Sequence, residues 1–309
     1  MYRIVKKEKL ANDVVRFDVK APLVSRRAKA GQFVIIRVSE KGERIPLTIS
    51  DYNTSEGIIS LVAMRVGKTT ALLSTLNEGD EIIDLVGPLG KESEIGKFGT
   101  VVCVGGGVGI APVMPIAKEL KKKENYIISI LGARDKDHLI LVPEMEKISD
   151  ELYLCSDDGS IGFHGFVSDF LKELLEEKVL EGREKSNFAS SGTKNENINN
   201  INNGNINRVI AIGPAPMMYA VSKVTRPYGI KTIVSLNSIM VDGTGMCGTC
   251  RVEVGGKTRF VCVDGPEFDG HEVDFDLLLA RQKAYHQEER LSMELYEEKC
   301  RCGQEKALW

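Results

Sequence analysis

"FGTVVCVGGGVGIAPVMPIA", Phe98–Ala117, carries no charged residue over about the length a membrane-spanning helix needs. A glycine cluster at Gly105–Gly107 and the prolines Pro112 and Pro115 interrupt it, and no second apolar span accompanies it. The stretch therefore predicts a buried strand at Val101–Val104, a glycine turn, and a helix that begins near Pro112. Apolar runs of the same kind recur at Ile127–Leu131 and Val209–Ile212, separated by charged helical stretches such as Ile116–Lys123. Alternation of this type predicts a doubly wound α/β domain with a parallel sheet. Upstream the pattern changes. Val14–Val19, Phe33–Val38, Ile58–Met64 and Glu81–Val86 are short β-type runs between turn signals, which predict a small antiparallel barrel or sandwich.

The chain has 309 residues, so two to three domains are expected. A net charge of −3 argues for neither nucleic acid nor an anionic membrane surface as a partner, and neither is expected. "MYRIVKKEKL" has no apolar core after its charges and does not read as a signal peptide. Seven cysteines, three of them clustered, favour a reduced cytoplasmic location and metal binding over disulfides. Residues 182–207, rich in Asn and Ser without an apolar face, predict a disordered insertion after a helix ending near Leu180. A charged helix is expected over Leu277–Glu298, on a partner or along the surface.

Three motifs carry chemistry. The turn of "VVCVGGGVGIAP" suits a pyrophosphate, because glycines admit close approach and helix-start amides attract its charge. Its spacing is G-x-G-x-x-P, at Gly107, Gly109 and Pro112. "RVGKTT" is no ATPase loop, since that motif needs a glycine where Val62 stands, but its glycine, lysine and threonines suit another phosphate. In "VDGTGMCGTC", Val241–Cys250, followed by Cys262, the residues Asp242, Cys247, Cys250 and Cys262 match the C-x₄-C-x₂-C…C ligand spacing of plant-type [2Fe–2S] ferredoxins, with Asp in the first place. Asp242 is the expected fourth ligand, with Cys300 or Cys302 as the alternative. A structural zinc site is the rival for the same residues. Cys103 and Cys155 read as core residues, and the four histidines show no ligand or catalytic spacing.

"RIPLTIS" (Arg44–Ser50), "VGKTT" (Val66–Thr70), "GPLG" (Gly87–Gly90), "GGGVGIAP" (Gly105–Pro112), "LGARD" (Leu131–Asp135), "SDDGSIG" (Ser156–Gly162) and "IGPAPMM" (Ile212–Met218) occur in one order. Together they resemble the ferredoxin–NADP reductase superfamily. The likeness is greater to its electron-transfer subunits with a C-terminal iron–sulfur module, among them those of dihydroorotate dehydrogenase and of NADH-dependent reduced ferredoxin:NADP oxidoreductase. The resemblance covers nearly the whole chain outside the insertion.

It implies a β-barrel FAD domain at 1–97, a nicotinamide-nucleotide α/β domain at 98–230, a [2Fe–2S] module at 231–270 and a C-terminal helix at 271–309. Pro46, Leu47 and Thr48 would line the flavin, while Gly67, Thr69 and Thr70 would meet the FAD pyrophosphate. Gly107, Gly109 and Pro112 would meet the nicotinamide-nucleotide phosphates, with Gly213 and Pro214 closing over the nicotinamide. Two positions depart from the family pattern: Ile45 stands where an arginine is usual, leaving the role of Arg44 open, and Ile212 replaces a common cysteine. Arg134 is followed by Asp135, and Asp157 and Asp158 occupy the neighbouring loop; carboxylates there repel a 2′-phosphate and favour NAD(H).

The implied function is electron transfer between NAD(H), FAD and the cluster. The implied partner is a larger flavoprotein with FAD and [4Fe–4S] clusters, the complex coupling NADH, NADP(H) and ferredoxin by electron bifurcation. Service to a dihydroorotate dehydrogenase is the alternative, against which Asp242 counts because that branch usually carries Cys there. A stand-alone, zinc-stapled flavin reductase, or a redox-inert binding module, is another.

Overall fold

The computed structural model describes residues 1–189 and 206–301. The chain forms two compact units: Met1–Ser93 with Ser235–Phe268 and Glu272 onward, and Glu94–Val234 with Asp269–His271.

In the first unit, β1 (Tyr2–Lys9), β2 (Val14–Lys20), β3 (Phe33–Arg37), β4 (Arg44–Asn53), β5 (Ile58–Met64), β6 (Glu81–Ile82) and β7 (Asp84–Leu89) form an antiparallel sheet in the order β6-β1-β2-β5-β4-β3-β7. The strand expected at Glu81–Val86 is divided in two. Its first half pairs with β1 through Tyr2↔Ile82, and its second with β3 through Ile36↔Leu85. The two end strands of the sheet are thus separated in sequence by Ile83 alone, so the sheet must curl into a barrel. Phe17↔Leu61 and Val19↔Ile59 are cross-strand pairs of β2 and β5, and with Val34, Ile36 and Ile49 they fill the interior. Helix α1 (Pro22–Ser25) is a single turn after β2, and α2 (Lys68–Thr75) follows β5, burying Leu72 and Leu73 in the same core.

In the second unit, β8 (Thr100–Gly106), β9 (Tyr126–Ala133), β10 (Glu151–Ser156), β11 (Phe163–His164), β12 (Ile206–Ile212) and β13 (Lys231–Ser235) pair in parallel in the order β11-β10-β9-β8-β12-β13. β8 is buried throughout, as a strand covered on both faces requires. The chain runs outward from β8 in one direction and returns as β12 on its other side, so a topological switch point lies between these two strands. The connecting helices are α3 (Ile110–Lys122), α4 (Val142–Ile148), α5 (Val167–Ala189) and α6 (Ala215–Thr225). Expected to end near Leu180, α5 continues to Ala189, because the segment after Leu180 has good helix formers and no proline. The rest of the Asn-rich segment, 190–205, lies outside the described residues. Among the described residues no helix is long and apolar enough to cross a membrane.

The C-terminal part of the first unit has a hairpin, β14 (Arg251–Val254) and β15 (Lys257–Phe260), turned by Gly255 and Gly256 at φ +59° and +68°. It continues through α7 (Val261–Asp264), α8 (Phe275–Gln282) and α9 (His286–Arg301). The single helix expected over Leu277–Glu298 is therefore broken at Lys283–Tyr285, because its halves bury different residues. α8 buries Phe275 and Leu278, whereas α9 lays Tyr296 into the barrel core with Met293 beside it. α9 is a wall of the barrel unit. Truncating Tyr296 to alanine should lower that unit's stability by roughly 3 kcal/mol, read from the urea midpoint.

Candidate functional site

A cleft of about 1220 Å³ opens in the first unit, above the usual range for small-molecule sites and roomy enough for a dinucleotide. Its walls include Glu43, Arg44 and Ile45 at the start of β4, Val66–Thr70 at the start of α2, Met240 and Val241, and residues 285–290, 292 and 293. Gly67, Thr69 and Thr70 all line it. The Thr70 hydroxyl accepts from the amides of Val66 (3.0 Å) and Gly67 (3.1 Å) and donates to the Gly67 carbonyl (3.0 Å). That fixes the turn and leaves the next amides, at the helix start, without intrahelical acceptors, an arrangement suited to a phosphate. Arg44 also lines the cleft, so an arginine is present despite Ile45. Thr69 donates to the Glu43 carboxylate at 3.1 Å. The α9 wall was not legible as a site, having no motif.

Pro46, Leu47 and Thr48 continue β4 beyond the cleft. Cross-strand partners share a face, and the pairs are Ile35↔Pro46, Val34↔Leu47 and Phe33↔Thr48. Leu47 packs inward against the barrel core with Val34. Pro46 and Thr48 share the opposite face with Ile35 and Phe33. The cysteine loop lies against that face: Gly243, at φ +75°, sits so close that a Cβ there would come 2.7 Å from Ile35 Cδ1 and 2.6 Å from Leu89 Cδ1.

Within this loop the four expected ligands form two pairs. Cys250 and Cys262 are buried with their sulfurs 3.2 Å apart, near the ~3.7 Å of two thiolates on one tetrahedral ion. Burial, and then the neighbouring Cys250, push the Cys262 thiol upward, while the Gly245 amide directed at it acts in the opposite sense. A bound cation would deprotonate it outright. Asp242 accepts from the amides of Thr244 (2.8 Å) and Cys247 (2.9 Å). The amide bonds, that of Thr244 first, hold its carboxyl below the usual range, and Thr249 does the same for the exposed Cys247 thiol. Among the described residues, no three His, Cys, Asp or Glu side chains converge to hold one ion. The two pairs suit a dinuclear cluster with two protein ligands per iron, and the tightly folded loop with glycines at φ +75°, +82° and +67° brings backbone amides round it. Nothing is described of the Cys300 side chain, and Cys302 lies outside the described residues.

In the second unit, Gly107, Gly109, Pro112, Gly213 and Pro214 gather at the switch point. Gly107 (φ +55°) opens the turn after β8, and Gly109 passes so near the turn after β12 that a Cβ would fall on the Ile212 carbonyl and 2.8 Å from Gly213 Cα. Pro214 caps the start of α6. Arg134 and Asp157 follow β9 and β10, and the adjacent ladder rungs Asp157 N to Ala133 O (3.1 Å) and Asp158 N to Arg134 O (3.2 Å) bring the two loops together. Asp135 is occupied as the cap of a short 3₁₀ turn, accepting from the amides of Asp137 and His138 and bonding the His138 ring at 2.6 Å. Burial, then Asp158, raise the Asp157 carboxyl above its ordinary value. Cys155 is fully buried and its thiol is pushed up to about 12, first by burial, which suits a packing role.

Residues 237–274 match the iron–sulfur cluster binding domain of dihydroorotate dehydrogenase B. The chain is 48% identical over 293 residues to a Thermotoga maritima homolog of the dihydroorotate dehydrogenase B (NAD(+)) electron transfer subunit, covering 95% of this chain and 94% of that one. A chain in the solved structure of NADH-dependent reduced ferredoxin–NADP oxidoreductase, described for flavin-based electron bifurcation, superposes with a TM-score of 0.82 at 47% identity, covering 96% of this chain and 98% of the other. The cytochrome P450 reductase GcoB of Amycolatopsis shares the fold alone, with a TM-score of 0.56 at 20% identity over 73% of this chain and 65% of the other. The ferredoxin–NADP reductase-like architecture expected from the motifs, barrel, parallel α/β sheet and C-terminal iron–sulfur region, is thus borne out. Sequence, fold and cysteine loop agree that the chain belongs to the family of dihydroorotate dehydrogenase B electron transfer subunits and their homologues.

Proposed function

We propose that the chain is the smaller, FAD- and [2Fe–2S]-carrying subunit of an NADH-dependent reduced ferredoxin–NADP oxidoreductase, working with a larger flavoprotein that holds FAD and [4Fe–4S] clusters. The observation that carries this is the seating of Gly243 on Ile35, the cross-strand partner of Pro46, which lays the cluster loop on one face of the barrel with part of the flavin strand. Two carriers on one rigid barrel are what a route from a hydride donor to a one-electron acceptor requires. The flavin, when bound, exchanges a hydride with the nicotinamide and single electrons with the cluster.

The protein residues bind and orient. Gly67, Thr69, Thr70 and Arg44 would hold the FAD phosphates, Pro46 and Thr48 would support the ring, and Leu47 would back them from the core. Gly107, Gly109 and Pro112 would receive the nicotinamide-nucleotide phosphates, with Gly213 and Pro214 beside the nicotinamide. Asp242, Cys247, Cys250 and Cys262 would hold the irons as two pairs. That pairing favours a dinuclear cluster over zinc, whose structural sites gather four ligands at one point. With Asp135 engaged as a cap, Asp157 is the carboxylate left to meet an adenosine ribose, which supports NAD(H).

The test is anaerobic reduction of the purified chain's flavin by NADH and NADPH, with recovery of the partner from cell extract. NADH should reduce it at least about tenfold faster, and Asp157→Ala should narrow that preference by about tenfold, near 1.4 kcal/mol. A faster reaction with NADPH would overturn the nucleotide assignment. The match of 237–274 to the dihydroorotate dehydrogenase B domain favours a second reading, service to that enzyme, which recovery of an FMN-containing partner oxidising dihydroorotate would establish.

A further inference from the structure

We infer that the C-terminal helix α9 and the turn before it form the adenosine-binding wall of the barrel cleft, with Tyr285 as the residue that stacks on the adenine and selects FAD over FMN. The inference rests on the proposal that FAD occupies this cleft, and goes beyond it in naming what recognises the second nucleoside. Three observations converge. First, the helix breaks at Lys283–Tyr285, and the break presents Tyr285, 53% exposed, to the cleft. A tyrosine left that open on a cleft wall that also includes Met240 and Val241 has aromatic surface to offer a planar partner.

Second, the wall is fixed. Tyr296, three turns along α9, is 6% exposed in the barrel core, and Met293 packs against that core, so the helix does not merely rest on the surface. An aromatic residue at the start of an anchored helix loses little freedom when a base stacks on it. Third, both ends of the cleft carry polar groups that a dinucleotide can use. Arg44, Lys68 and the helix-start amides of α2 lie where a pyrophosphate is favoured, the Glu43 carboxylate there being engaged by Thr69. The α9 wall presents Glu288 and Glu289, whose carboxylates suit ribose hydroxyls, beside an Arg290 paired with Glu294. A pyrophosphate at α2 leaves the second nucleoside to be accommodated in the remaining cleft, and Tyr285 is the only Phe, Tyr or Trp among the described residues lining it. FMN has no second nucleoside, so Tyr285 gives it nothing.

The experiment uses the full chain, stripped of flavin and titrated separately with FAD and FMN, following flavin fluorescence, for wild type, Tyr285→Ala and Tyr285→Phe. Base stacking on an aromatic side chain predicts that Tyr285→Ala weakens FAD binding by about tenfold to a hundredfold. FMN affinity should stay unchanged, and Tyr285→Phe should retain FAD affinity. Unchanged FAD affinity in Tyr285→Ala would overturn the inference. An equal loss for FAD and FMN would overturn it too, since Tyr285 would then act through the fold or at the shared ring end. A wild-type chain that binds neither flavin would instead defeat the underlying assignment of the cleft, and the inference with it.

Discussion

Changing Cys262 to serine should abolish cluster assembly: iron and acid-labile sulfide, expected at about two each per anaerobically purified wild-type chain, should fall nearly to zero. Cys262 is buried with its sulfur 3.2 Å from that of Cys250, so it has no substitute ligand within its pair. A serine hydroxyl is a harder and more weakly acidic donor, in a site that already raises the acid dissociation constant's exponent of the native thiol. Asp242 should behave differently. Its carboxylate sits at the exposed end of the loop and also organises it, receiving the amides of Thr244 and Cys247. Asp242→Ala should therefore lose most of the iron, whereas Asp242→Cys should retain it with an altered electron paramagnetic resonance spectrum after dithionite reduction. Zinc in the wild-type chain, without sulfide, would overturn the cluster assignment. A wild-type signal retained in Asp242→Ala but lost in a Cys300/Cys302 double serine variant would move the fourth ligand to the C-terminal pair.

Much of this architecture was legible because its signals are local. A fully buried parallel strand such as β8 reads as a continuous apolar run, and the glycines after it can be recognised from Val101–Pro112 alone. The spacing of Asp242, Cys247, Cys250 and Cys262 likewise reads locally as a metal site, although zinc and an iron–sulfur cluster share it and only the flavin and nucleotide motifs upstream favour the cluster. Features that depend on distant partners were not legible. β1 is highly charged and buries Ile4 as its single fully covered residue, so it has little strand pattern of its own. The split at Ile83 follows from barrel closure, which no window of sequence contains. Leu47 reads as part of a flavin motif, but register turns it toward the core while Pro46 and Thr48 face the other way. The α9 wall was hidden for a related reason. A sparse apolar face reads as a surface helix until Tyr296 is seen to enter a core assembled some two hundred residues earlier in the chain.

Gly109→Val should eliminate nicotinamide-nucleotide binding and cost the second unit at least about 3 kcal/mol, because the obstacle is backbone rather than a side chain that can swing away. At Gly109, whose φ of −63° any residue adopts, the first added atom already meets the Ile212 carbonyl and Gly213 Cα. The turns after β8 and β12 would have to separate, and these turns, with the helix starts that follow them, carry the phosphate- and nicotinamide-side residues proposed above. Gly107 is the control two residues away, with the opposite reason for being glycine. It has φ +55° and nothing within 4 Å of a built Cβ. Gly107→Ala therefore meets no collision and costs only the left-handed backbone, about 1–2 kcal/mol. Isothermal titration with NADH, together with thermal melting, separates the cases. Gly107→Ala should bind NADH more weakly and melt slightly lower, whereas Gly109→Val should show no binding and a large loss of stability. Equal effects of the two substitutions would mean that backbone conformation, and not the approach of two turns across the switch point, governs this site. Iron content should be unchanged in both, since the cluster ligands belong to the other compact unit.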